Sequence, residues 1–204
     1  MQRTRVPRAL NKRRYNAGSI WEYVGMLEQE KTGLIIVDVQ GKLASIVRES
    51  EALLDNIQIL IQGCQILKIP IVWIEQNPQG LGQTVPELRE LLKGYQPLEK
   101  YTFNACESNS FIKSITESGA QQWLVCGIEA HICIYQTAIG LLSRGYDVEV
   151  VSDCVSSRSK ANIDLALKKL QDNGASLTSV EMCLYELVKD ARKDEFKRIL
   201  PLIK

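Results

Sequence analysis

From Gly33 onward the chain alternates short runs of β-branched and other apolar residues with longer segments whose apolar positions recur every three or four residues. That is the pattern of parallel strands joined by crossover helices, and it leaves few other architectures open. Strands are predicted over 34–38, 71–75, 97–100, 123–127, 148–152 and 177–180. Several are almost wholly apolar, as strands covered by helices on both faces must be. Leu53, Leu54, Ile57, Leu60, Ile61 and Cys64 fall on one face of a helix predicted over 50–67. Segments 107–118, 131–143 and 160–173 read as helices in the same way, with Gly119, Gly145 and Gly174 placed to end them. A last helix is expected over 194–203, stopped or broken near Pro201, and 76–84 is the one long surface loop expected. The predicted fold class is α/β: a single-domain open parallel sheet of about six strands with helices on both faces.

Composition bounds the rest. At 204 residues with 45% hydrophobic content, the chain supports one sizeable core rather than two. A formal net charge of +1 gives no overall field to attract nucleic acid or an anionic membrane, so the partners expected are small molecules or further copies of the chain. No apolar run approaches the roughly 18 residues of a membrane-spanning helix, and the start lacks the apolar core of a secretory signal. Six scattered cysteines without a close C-x-x-C pair fit a reducing compartment, so the expected location is the cytoplasm. Arg3, Arg5, Arg8, Lys12, Arg13 and Arg14 precede the first acidic residue, Glu22, and mark residues 1–32 as a basic extension ahead of a domain at 33–204. A flexible or partner-packing arm is favoured there over an organelle-targeting peptide, because the segment is not rich in serine.

Open α/β sheets bind ligands beyond the carboxyl ends of their strands, which draws attention to the residues that stand there. Asp38 closes the first predicted strand, Lys100 closes the third, and Cys133 opens the helix after the fourth. A cysteine at a helix N-terminus sees the positive end of the macrodipole, and a nearby ammonium acts in the same sense, so thiolate is the expected form. Asp38 is then the base, and Lys100 the cation that stabilises the negative sulfur. The single histidine, His131, lies two residues before Cys133, a spacing at which helical side chains do not face each other, so it is read as structural. No ligand spacing suits a catalytic zinc, and neither a G-x-G-x-x-G turn nor a Walker-type loop occurs. Taken singly, each residue has an ordinary reading: a buried thiol, a helix-capping aspartate, a solvated lysine. Their convergence at neighbouring strand ends is what favours chemistry.

Val37-Asp38-Val39-Gln40, Lys100-Tyr101-Thr102-Phe103 and the run from Gly127 through Glu129 and Cys133 to Ala138 resemble the three signatures of isochorismatase-like cysteine hydrolases, a Rossmann-like three-layer family. The resemblance extends from about Gly33 to about Leu187. Glu75-Gln76, Gly80-Leu81-Gly82 and Ser156-Ser157-Arg158 are similar to the branch of isochorismatase domain-containing proteins. It implies Asp38 as base, Lys100 as catalytic cation and Cys133 as nucleophile. It also implies a cis peptide between Ile128 and Glu129 that turns the backbone N–H groups of Glu129 and Cys133 toward an oxyanion. Gln40, Gln76, Tyr101 and Phe103 are expected to line the substrate pocket, without metal or cofactor. Two departures refine this picture. The aspartate and histidine metal motif of nicotinamidases is replaced by Glu75-Gln76-Asn77-Pro78, and isochorismatases that cleave a vinyl ether lack the cysteine. The expected activity is hydrolysis of an amide-like C–N bond of a small molecule through a thioester. The alternative is a non-catalytic binding protein on the same scaffold, and a thiol redox sensor is a third reading that lacks an evident resolving cysteine. The family resemblance also leads to an expected homo-oligomer, a dimer or tetramer.

Overall fold

The computed structural model describes residues 25–204. Residues 1–24 of the basic extension, including its arginines at 3–14, lie outside the described residues. Six parallel strands, β1 (Thr32–Val37), β2 (Ile71–Gln76), β3 (Leu98–Lys100), β4 (Gln122–Ile128), β5 (Asp147–Ser156) and β6 (Ser176–Thr178), form one sheet in the order β3-β2-β1-β4-β5-β6. The helices among the described residues are α1 (Gly41–Ile46), α2 (Ser50–Ile66), α3 (Pro78–Leu81), α4 (Pro86–Leu91), α5 (Asn109–Glu117), α6 (Tyr135–Leu142), α7 (Lys160–Asp172), α8 (Val180–Val188) and α9 (Asp194–Ile203).

The period of two along each strand sends alternate residues into two separate cores. Leu34 and Ile36 of β1 join Leu53, Ile57, Leu60 and Ile61 of α2 and the buried faces of α8 and α9. Ile35 and Val37 join Phe111 and Ile115 of α5, Leu141 of α6 and Leu170 of α7 on the other side. Every residue of β1 and β2 is buried, the signature of strands sandwiched between helix layers. Each fully buried Leu or Ile side chain contributes roughly 1.5–3 kcal/mol by leaving water, so the two cores together hold the sheet flat between its helices.

Several boundaries differ from those read in the sequence. Val180 belongs to α8 rather than to the last strand, because the Ser179 hydroxyl accepts from Met182 N–H and the Asp153 carboxylate accepts from Val180 N–H, which caps a helix at that point. That helix was not anticipated. The segment 76–84 is less a loop than expected: it contains α3, and both Gln76 and Thr84 are buried. Pro201 sits inside α9 without ending it there, although its ring offers no N–H to the carbonyl four residues before it. The three helix-ending glycines all follow their helices with positive φ. Ahead of β1, Leu27 is fully buried, and the side chain of Gln122 binds the chain at both Met26 and Glu28.

β1 and β4 are hydrogen-bonded neighbours from Thr32↔Gln122 to Val37↔Gly127. From β1 the chain winds toward β2 and β3, and from β4 it winds toward β5 and β6, so the crevice between their carboxyl ends is the topological switch point. Gly127 sits at that crevice with φ +136, and a Cβ there would overlap the Val37 carbonyl. Only glycine meets both demands. Gly127→Ala is expected to cost about 3 kcal/mol or more of stability, measured by urea unfolding, and a variant within 1 kcal/mol of the wild type would contradict this close approach.

Candidate functional site

Three backbone irregularities build the site at the switch point. β1 ends at Val37, and Asp38 takes left-handed backbone angles with φ 58, its N–H still bonded to Ile74 O at 3.2 Å. β4 ends at Ile128, and Glu129 is left-handed as well, with φ 55 and ψ 60. The chain then enters a π-helical turn, Ala130–Ile134, before α6 begins. Left-handed non-glycine residues and single π turns are both costly local conformations that concentrate at functional sites. Cys133 lies in that turn.

Lys100 reaches into the crevice from the end of β3. Its Nζ is 2.7 Å from Asp38 Oδ2 and 2.6 Å from Gln76 Oε1. The ion pair is almost completely buried, with side-chain exposures of 1% for Lys100 and 5% for Asp38. The Cys133 thiol lies within interaction distance of both charged groups and is itself 6% exposed. Asp38 Oδ1, the other carboxylate oxygen, is buried without a hydrogen-bond partner. The three residues singled out in the sequence are thus brought together, from strand ends on three different strands.

Burial acts against the thiolate expected from the sequence: it pushes the Cys133 thiol up to about 12, with the neighbouring Asp38 carboxylate adding to the rise and Lys100 opposing it. Burial also raises Asp38 above the usual carboxylate value, although Lys100 pulls it down.

The remaining expected site residues divide sharply. Both ends of the Gln40 amide are occupied by backbone: Oε1 accepts from Gln76 N–H at 2.6 Å, and Nε2 donates to Gln76 O at 3.1 Å and to Gly82 O at 2.6 Å. Gln76 is similarly engaged, with Oε1 on Lys100 and Nε2 donating to Tyr101 O at 2.8 Å. These bonds tie both amides to internal partners, with Gln40 fully buried and Gln76 8% exposed. Tyr101 and Phe103 stand 64% and 54% exposed just after Lys100, in a position to meet a ligand. The expected cis bond between Ile128 and Glu129 is absent, since the described residues contain no cis peptide. The left-handed turn at Glu129 redirects the chain instead, at a smaller cost than the roughly 3–4 kcal/mol of a non-proline cis bond.

One part of the site was not foreseen. The Glu129 carboxylate is buried and gripped by Arg158, with Nε to Oε1 at 3.0 Å and Nη2 to Oε2 at 3.4 Å. His131 completes the brace through Nδ1 to Ser157 Oγ at 3.0 Å and Nε2 to Asn162 Nδ2 at 3.2 Å, the structural role read for it. An acid directly after a strand was the signal available in the sequence; its burial and its partner, 29 residues on, were not. Among the described residues no cluster of three His, Cys, Asp or Glu side chains is arranged to hold a metal ion, and no helix is long and apolar enough to cross a membrane.

Comparison with known proteins accords with this geometry. The model of the isochorismatase domain matches residues 32–182. Isochorismatase domain-containing protein 2 of Danio rerio is 38% identical over 182 residues, covering 88% of this chain and 90% of that protein. The secreted isochorismatase effector Isc1 of Phytophthora sojae is 32% identical over 187 residues, covering 89% of this chain and 88% of its own. The solved structure of MAR1 ribonuclease from Caenorhabditis elegans superposes with a TM-score of 0.82 at 34% identity, over 87% of this chain and 92% of that one. This last relative overturns the exclusion of nucleic acid partners drawn from net charge: a chain-wide balance near zero says nothing about the few groups that line one crevice. With signatures, sheet order and strand-end residues in agreement, the chain belongs to the isochorismatase family, in its cysteine-hydrolase branch.

Proposed function

We propose that this protein is a cysteine-dependent hydrolase that cleaves an amide-like C–N bond of a small molecule through a thioester on Cys133. The observation that carries the reading is the division of labour on Asp38: one oxygen is pinned by Lys100, the other is buried without a hydrogen-bond partner, and the Cys133 thiol interacts with the same carboxylate. In the first half-reaction Asp38 takes the Sγ proton as Sγ bonds to the substrate carbonyl carbon. The Lys100 ammonium offsets the negative charge that then moves through the crevice. The backbone N–H groups of Glu129 and Cys133, at the two ends of this strand-to-turn segment, would receive the oxyanion. The C–N bond breaks as the leaving nitrogen takes the proton held by Asp38. Water, deprotonated by the same carboxylate, then attacks the thioester, and the acid departs as the sulfur regains its proton.

A thiol near 12 suits this order of events, because proton removal coincides with attack and no reactive thiolate is exposed between turnovers. All six cysteines are free, which supports a reducing compartment such as the cytoplasm.

A second substrate class follows from the exposed pair Tyr101 and Phe103. Aromatic side chains at a site mouth stack on nucleobases, and a 34%-identical relative bears the name ribonuclease, so single-stranded RNA joins small amides as a ligand to be tried. Fluorescence anisotropy with a labelled oligonucleotide tests it, and binding that is unchanged in a Tyr101→Ala, Phe103→Ala double variant removes that reading.

Cys133→Ala is expected to abolish ammonia release from a panel of small amides while retaining the wild-type circular dichroism, and full turnover in that variant would reject the mechanism. Asp38→Asn should lower kcat/KM by about 10²–10⁴-fold, the usual contribution of a positioned base. The pH profile is fixed in sign by the raised Asp38: the base is ionised above its folded value, and activity is lost as pH falls through it. The acid limb of kcat/KM should therefore lie above 3.8, and a limb at or below that ordinary value would remove Asp38 as the base.

A further inference from the structure

Beyond Val37 the first strand has turned away, yet the neighbouring β2 continues through Gln76. On the β3 side, Gln76 is in register with Lys100. On the β1 side no strand remains, and the side-chain amide of Gln40 stands in the gap. It offers one acceptor to Gln76 N–H and one donor to Gln76 O, as a strand peptide would. The Gln40 side chain is fully buried while doing so. This replacement fixes the backbone at Gln76, and with it the direction of the Gln76 side chain.

The orientation of the Gln76 amide is determined by its two partners. Its NH₂ donates to Tyr101 O at 2.8 Å, which leaves the oxygen facing Lys100 Nζ at 2.6 Å. An ammonium has three donors. Asp38 Oδ2 and Gln76 Oε1 accept two of them, and the third is free to face the sulfur of Cys133.

We infer that Gln76, locked by Gln40, is a positioning residue that holds the Lys100 ammonium against Cys133, and that this pair of glutamines sets the reactivity of the sulfur. This rests on the assignment of Cys133 as nucleophile and deepens it. Neither glutamine touches the reacting atoms; each acts through Lys100.

The rate of carbamidomethylation of Cys133 by iodoacetamide, followed by mass spectrometry of the full chain from pH 7 to 10, tests this without knowledge of the substrate. Gln76→Met keeps the side-chain volume and removes the acceptor, and it is expected to slow labelling about tenfold at each pH, because a less tightly held ammonium stabilises thiolate less. Gln40→Met should act in the same direction. A purely structural role predicts the opposite sign, since loosening the crevice exposes the sulfur and speeds labelling. In a Lys100→Met background Gln76→Met should then have no further effect, whereas independent action gives multiplied losses. Unchanged or faster labelling in both glutamine variants, or multiplied losses with Lys100→Met, would overturn the inference. Should Gln76→Met fail to fold, Gln40→Met carries the same cycle. A wild-type protein in which Cys133 is not labelled ahead of Cys64, Cys106, Cys126, Cys154 and Cys183 would count against the nucleophile itself, which keeps the two failures apart.

Discussion

The buried pair of Asp38 and Lys100 is the interaction on which the rest of the site depends. Taking an isolated carboxylate and an isolated ammonium out of water costs several kcal/mol each, and attraction at 2.7 Å offsets that only when the geometry is held and the spare hydrogen-bonding capacity is used. Gln76 takes part of that capacity on the lysine side. On the aspartate side one oxygen is left unsatisfied, a buried polar atom that a purely structural ion pair would have matched.

The fold supplies this arrangement by being regular up to the switch point and irregular just beyond it. β1 and β4 are ordinary apolar strands until Val37 and Ile128. Then come a left-handed Asp38, a left-handed Glu129 and a π turn, each tolerable because two cores clamp the strands behind them. The β4–β5 register also shifts, from Val125↔Val150 to Gly127↔Val155, which carries β5 on to the Ser157 and Arg158 that brace the turn. Packing stabilises the strand bodies, and the strand ends are thereby free to hold conformations that would not persist alone.

How much of this was legible in the sequence depends on the length scale of the cause. The strands and most helices follow from periodicity, and Asp38, Lys100 and Cys133 could be chosen because strand ends in an open sheet face a common crevice. For Cys133, a helix terminus that favours thiolate is visible in a sequence, whereas the burial that raises the thiol is not. Gln40 and Gln76 were assigned to the pocket because an amide near a site has the right chemistry; that Gln40 bonds the backbone of Gln76, and Gln76 in turn Lys100 and the Tyr101 carbonyl, becomes visible only when the chain is folded. The same holds for Glu129 and Arg158. At Val180 the error was local: the capping serine before it was present in the sequence, but the apolar run masked it.

One consequence follows from where the cation is mounted. β3 is three residues long and stands at the margin of the sheet, bonded on one side to β2 only. The carboxylate and the sulfur, by contrast, are anchored beside the two innermost strands. Fraying of that margin, the kind of opening that needs far less free energy than global unfolding, withdraws the ammonium while leaving both cores closed. On the proposed mechanism, such opening would leave the protein inert without being denatured.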